Sequence, residues 1–161
     1  DCGMSGITVT PERQKNMLFT DAYYVAAQVI VVKEDSTIKG KADLTGKKVS
    51  VQTGTTADEG CTEAGLEVQA FNANADAKAA LTTGKVDAWV VDNLTAMQMV
   101  EEGDGLKILG ENMTEEPYAF AFAFGSEDLV EEINKILGKL IEEGKIQKIF
   151  EDFGETYVKP E

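Results

Sequence analysis

The sequence predicts an α/β fold built around a mainly parallel sheet. Strand and helix patterns alternate through residues 48–102, two of the strands are apolar runs of the kind found in sheets covered on both faces, and the chain closes on two amphipathic helices.

Taken in order, Gly6–Thr10 alternates and is β-branched, so it reads as a strand broken by Pro11. Ala27–Val32 (AQVIVV) is an apolar run expected to be a buried strand. Asp43–Gly46 reads as a turn, Lys48–Gln52 as a strand, and Ala57–Leu66 as a helix. The alternation continues with a strand at Glu67–Phe71, a helix at Asn74–Thr83, a buried strand at Val86–Val91 and a helix at Asp92–Glu102. Leu106–Leu109 is short and apolar. Tyr118–Phe124 (YAFAFAF) alternates strictly, and its aromatic side chains, like Trp89, are expected in the core. Ser126 stands where an N-cap is expected, and Leu129, Val130, Ile133, Ile136, Leu137, Leu140 and Ile141 then keep helical spacing. Gly144 interrupts, and Ile146, Ile149, Phe150 and Phe153 form a second amphipathic stretch ending at Gly154. There is one internal echo: Gly84-Lys85-Val86-Asp87-Ala88 leads into a strand, and so does Asp1-Cys2-Gly3, as if Asp1 matched Asp87.

Composition narrows the function. With 15 Lys plus Arg against 29 Asp plus Glu, the net charge is −14. Such a surface repels phosphate backbones and anionic lipid headgroups, so nucleic acid is not expected as a partner. The 161 residues fit one domain, or two small lobes that share a core. Histidine is absent, which excludes Ser-His, Cys-His and His-zinc sites. Cys2 and Cys61 have no metal spacing and are expected as semi-buried free thiols. No apolar leader precedes Asp1, so any targeting segment is expected outside these residues. No metal site, cofactor or catalytic group emerges from the pattern.

Three features could bind a ligand. Arg13 follows a strand end, and its planar guanidinium matches a carboxylate; the plainer alternative is a surface ion pair with Glu12 or Asp21. Thr53-Gly54-Thr55-Thr56 joins a strand to a helix, where backbone N–H groups and the helix dipole attract anions; the plainer alternative is a turn capped by Thr55 or Thr56. Asp92 ends a predicted strand, at the sheet edge where ligands of open α/β sheets gather; it could instead cap the next helix. Together they are complementary to a zwitterion: a carboxylate clamp from Arg13 and the Thr53–Thr56 turn, and an ammonium acceptor in Asp92.

The segments GITVTPER (6–13), LFTDAYY (18–24), DLTGKKVSVQTGTT (43–56), GKVDAWVVD (84–92), YAFAFAFGSEDL (118–129) and GKIQKIFEDFG (144–154), in this order, resemble the polar-amino-acid branch of the bacterial extracellular solute-binding proteins, family 3. That resemblance implies a periplasmic-binding-protein-like α/β fold, with one complete lobe at residues 30–115 and an incomplete one at 1–25 and 120–161. It implies hinge strands at 26–29 and 116–119, with the ligand in the cleft. It gives Arg13 the α-carboxylate, with help from Ser5, Gly6 and Thr8 of the same lobe and from Thr55 and Thr56 of the other, and it gives Asp92 the α-ammonium. The function implied is extracytoplasmic capture of a free L-amino acid and delivery to an ABC permease, from the periplasm or from a lipid anchor at the cell surface. A full family member carries further strands and helices before the counterpart of Asp1. The incomplete lobe is therefore expected to expose apolar faces and to favour a homodimer. Two other readings stand beside this one: a dehydratase-type enzyme on the same scaffold, and the sensing domain of a receptor.

Overall fold

The computed structural model describes residues 2–160, so Asp1 and its echo with Asp87 lie outside the described residues. The chain divides into two units, residues 1–26 with 116–161 and the contiguous stretch Ala27–Glu115.

Unit 1 is organised by one strand. β9 (Glu116–Phe122) pairs antiparallel with β1 (Cys2–Thr8) along one edge. Along its other edge it pairs with two short strands in succession, β2 (Leu18–Phe19) and β3 (Tyr24–Ala26). β1 extends further towards the N-terminus than the alternation at Gly6–Thr10 indicates, because it passes through a bulge between Gly3 and Ile7. Gly6 has φ +51 there, and a Cβ on it would stand 3.1 Å from the Tyr118 ring, so both backbone and space require glycine.

The strict alternation of Tyr118–Phe124 places Tyr118 and Phe122 in the core, but Phe124 lies beyond the strand end and is exposed. α4 (Glu127–Glu142) and α5 (Lys145–Asp152) follow. Ser126 occupies the N-cap position of α4 without making a side-chain capping bond. The aromatic core is tight: Tyr24 stacks on Phe150 with ring centroids 4.4 Å apart, and Tyr157 closes the group 5.4 Å from Phe150. Of α4 only Leu137 is fully buried, while Leu129, Ile136, Ile149 and Phe153 are exposed.

Unit 2 is a five-stranded sheet in the order β6-β5-β7-β4-β8. Its strands are β4 (Gln28–Lys33), β5 (Lys48–Gln52), β6 (Glu67–Phe71), β7 (Ala88–Asp92) and β8 (Leu106–Asn112). The expectation of a mainly parallel sheet is borne out: β5 runs parallel to β6 and β7, and β4 alone is reversed, antiparallel to both β7 and β8. The buried-run character of β4 comes from two-sided coverage, which an antiparallel strand can share.

The two faces sort by residue parity. Val29, Val31, Trp89 and Val91 pack with α2 (Asn74–Thr82) and with Ala96 of α3 (Asn93–Met99). Ile30, Val32, Val49, Val51 and Val90 pack with Ala57 and Cys61 of α1 (Thr56–Glu63). The two cysteines differ from the expected pair of semi-buried thiols: Cys61 is buried in this second layer and Cys2 is exposed. Among the described residues no helix is long and apolar enough to cross a membrane.

Candidate functional site

In unit 1 the candidate residues sit on β1 and the turn after it. Pro11 cannot extend the strand, and the chain enters a 3-10 turn at Arg13–Lys15. The Thr10 hydroxyl accepts from the Arg13 backbone N–H at 3.2 Å. The Arg13 guanidinium then reaches back to donate from Nη1 to the Thr8 carbonyl at 3.1 Å. The alternative of a surface ion pair is not what forms: Glu12 pairs with Lys15, and Arg13 makes no ion pair among the described residues.

Thr8 is itself buried, and its hydroxyl donates to Oε2 of the buried Glu116 at 2.7 Å, across the β1–β9 ladder. Its side chain therefore serves the support beneath Arg13. Ser5 and Gly6 are exposed on the β1 bulge. The result is a half-buried cation anchored by one of its five donors, with further N–H groups that can fork onto a carboxylate.

In unit 2 the candidates share one sheet edge. Thr55 is the N-cap of α1: its Oγ1 accepts from the Asp58 N–H at 3.3 Å and donates to the Gln52 carbonyl at 2.7 Å. Asp58 in turn accepts from the Gly54 N–H at 3.0 Å, which holds the turn that Gly54 makes possible at φ +72. Thr56 is the first helical residue, at the dipole's positive end. Asp92 ends β7 and caps α3, accepting from the Thr95 N–H at 3.1 Å through Oδ1. A carboxylate offers about four lone-pair positions, so capping a helix does not exhaust its capacity to accept.

Gln28 belongs to this edge, although neither charge nor small size marks it in the sequence. It opens β4 directly opposite Asp92 in the ladder, and its Nε2 donates to Thr56 Oγ1 at 3.2 Å. The signal in the sequence was a lone amide in an otherwise apolar run, AQVIVV. A cavity of about 330 Å³ in unit 2, lined by Lys33, Ser36, Lys47 and Asp87 among others, opens at the opposite ends of these strands and contains none of the candidate residues. Among the described residues no group of Cys, Asp and Glu is placed to hold a metal ion.

Comparison with known proteins agrees with this frame. The glutamine-binding protein GlnH of an ABC transporter from Bacillus subtilis is 34% identical over 93% of the chain and 56% of its own length. The arginine-binding extracellular protein ArtP of the same organism is 33% identical over 92% of the chain and 61% of its length. The chain thus spans about three-fifths of the length of the curated relatives it matches. Among solved structures, an arginine-binding protein mutant from T. maritima superposes with a TM-score of 0.86 at 39% identity, covering 96% of this chain and 69% of that one. The arginine-, lysine-, histidine-binding protein ArtJ from Geobacillus stearothermophilus gives 0.85 at 34% identity, covering 97% and 71%. The profile of the bacterial extracellular solute-binding proteins, family 3, matches residues 1–156, and the chain belongs to that family.

Proposed function

We propose that this chain carries residues with which an extracytoplasmic solute-binding protein captures a free polar L-amino acid for delivery to an ABC permease. The observation that carries the proposal is the anchored guanidinium of Arg13: a half-buried cation, held at one donor by the Thr8 carbonyl and engaged with no acidic side chain among the described residues. Such a group is prepared for an anionic partner that the fold itself does not supply. In this reading Arg13 takes the α-carboxylate, assisted by the backbone about Ser5, Gly6 and Thr8, and by Thr55 and Thr56 at the start of α1. Asp92 takes the α-ammonium. The named relatives bind glutamine and arginine, which supports a polar amino acid as the ligand class. The ligand is bound and released unchanged, and no covalent step is needed.

Isothermal titration with L-arginine and L-glutamine tests this. Arg13→Ala is expected to cost about 2–5 kcal/mol of binding, because a desolvated carboxylate loses its charged partner. Asp92→Asn is expected to weaken amino acids more than their deaminated analogues. An unchanged affinity in Arg13→Ala would overturn the assignment.

A further inference from the structure

We propose that the unit 2 cavity lined by Lys33 and Lys47 is a second binding site, one that takes a small organic anion carrying two or more carboxylate or phosphate groups. It uses none of the amino-acid-clamp residues and stands or falls separately from the reading above.

Acidic side chains outnumber basic ones by 29 to 15, so an unpaired lysine is unusual in this chain. In α4 and α5, Lys135, Lys139, Lys145 and Lys148 each form an ion pair with a glutamate or an aspartate. The ammonium groups of Lys41 and Lys107 donate to carbonyls. Lys33, Lys39, Lys47 and Lys85 have neither kind of partner among the described residues. These four gather at one place. Lys33 and Lys47 are half-buried and line the cavity of about 330 Å³, while Lys39 and Lys85 directly follow two further lining residues, Ile38 and Gly84.

The backbone fixes this frame. Lys33 ends β4, and its carbonyl accepts from the Ser36 N–H at 3.0 Å. Lys47 leads into β5, with its N–H donating to the Leu44 carbonyl at 2.9 Å. Asp87 is tied to the same strand: its N–H donates to the Lys48 carbonyl at 2.8 Å, and its Oδ2 accepts from the Lys48 N–H at 2.9 Å. Gly84 leaves the room that Lys33 occupies, since a Cβ there would stand 3.3 Å from Lys33 Nζ.

The lining is rich in donors. Ser36 Oγ accepts from the Ile38 N–H at 3.2 Å, and its own proton, like that of Thr37, meets no acceptor among the described residues. Asp35 and Asp87 share the lining, yet neither forms an ion pair with Lys33 or Lys47. A half-buried ammonium has lost part of its hydration, and an anionic oxygen replaces it with a charge-assisted bond. The volume of about 330 Å³ falls at the lower end of the range for small-molecule sites, so a ligand with two separated anionic groups can meet both lysines. The plainer role for Lys33 is to face the C-terminal end of α2, where a cation is favoured. The experiment separates that role from binding.

Isothermal titration of the full chain with citrate and with pyrophosphate, at constant ionic strength, tests the site. At least one is expected to bind in the millimolar range or tighter, with acetate much weaker; citrate alone would assign a polycarboxylate and pyrophosphate alone a polyphosphate. The double variant Lys33→Gln with Lys47→Gln is expected to bind about tenfold more weakly. The control Lys139→Gln with Lys145→Gln removes the same charge from α4 and α5 and is expected to change affinity by less than about twofold. If Lys33→Gln unfolds by circular dichroism, Lys47→Gln alone makes the comparison, with a loss of about threefold or more. In two-dimensional amide NMR the bound anion is expected to shift Ser36, Thr37 and Gly84. No binding of either anion, an unchanged affinity in the lysine variants, an equal loss in the control, or amide shifts confined to other segments would each overturn the proposal.

Discussion

Replacing Thr8 by Val isolates one hydrogen bond beneath the Arg13 anchor. Thr8 and Glu116 are 6% and 3% exposed, and the hydroxyl donates to the carboxylate at 2.7 Å. Valine keeps the branched shape, so little cavity opens, and the loss is concentrated on a buried carboxylate deprived of one charge-assisted bond. Bonds of that type contribute about 1.5–3 kcal/mol, so a destabilisation of about 2 kcal/mol is expected. For a chain of this length that corresponds to a fall in Tm of roughly 4–8 °C. The signal can be assigned to unit 1, because all four tyrosines (Tyr23, Tyr24, Tyr118 and Tyr157) lie there, while the single tryptophan, Trp89, reports on unit 2. Urea unfolding followed by tyrosine near-ultraviolet circular dichroism is the assay, with tryptophan fluorescence as the reference. Adding Glu116→Gln to Thr8→Val should recover part of the loss, since a neutral amide is cheaper to leave under-bonded than a carboxylate. A tyrosine-monitored midpoint for Thr8→Val within about 0.5 kcal/mol of the parent would falsify this account of the support.

The remaining predictions concern charge, thiols and assembly. Burial pushes the Cys61 thiol up to about 11, with the Asp58 carboxylate adding to the effect, whereas Cys2 is exposed. A thiol reagent at about pH 8 should therefore label Cys2 quickly and Cys61 only after denaturation; two fast-reacting thiols in the native chain would contradict this. The hydrogen bond and charge of Lys78 hold the Asp104 carboxyl below its ordinary 3.8. A depressed carboxylate stabilises the fold above its unfolded value and loses that contribution as pH falls through its folded value, so Asp104→Asn should be less stable than the parent near neutrality, with the gap closing in acid. A gap that is constant with pH would show that the carboxylate charge is not the cause. The exposed apolar side chains Leu129, Ile136, Ile149 and Phe153 on and beside α4 and α5 should drive concentration-dependent self-association in light scattering, relieved by Ile136→Lys; a monomer at every concentration would count against it.

How far the sequence reaches differs between fold and site. The bounds of β5, β6 and α2 are legible because an alternating or helical apolar period is cut by a Gly or Asn turn on each side. Strand direction is legible for β5, β6 and β7, where an intervening helix implies parallel pairing, but not for β4: Val29–Val32 says that both faces are covered, and nothing in a run of β-branched residues announces the antiparallel pairing with β7. The start of β1 is hidden because the bulge at Gly6 breaks the alternation on which strand reading depends. At the site, Arg13, Thr55 and Asp92 stand out because charge or small size at an element boundary has a known use. Thr55 and Asp92 both prove to cap helices, while Arg13 lacks the surface ion pair that was its plainer alternative. Gln28 stays hidden because its meaning lies in a contact with Thr56 across 28 positions of sequence.

The arrangement of unit 1 around β9 has a consequence for how the chain is made. β1, β2 and β3 all lie within the first 26 residues, yet the strand they share begins only at Glu116, after the whole of unit 2 has been synthesised. At about 5–20 residues per second, the leading strands wait several seconds for a partner. All five strands of the unit 2 sheet lie within Ala27–Glu115, so that sheet can be completed first. Its early folding draws Ala26 and Glu116 towards the spacing of adjacent strands, and the long loop that β1 must close becomes a short one. Vectorial synthesis thus makes the inserted unit a folding template for the one that encloses it in sequence.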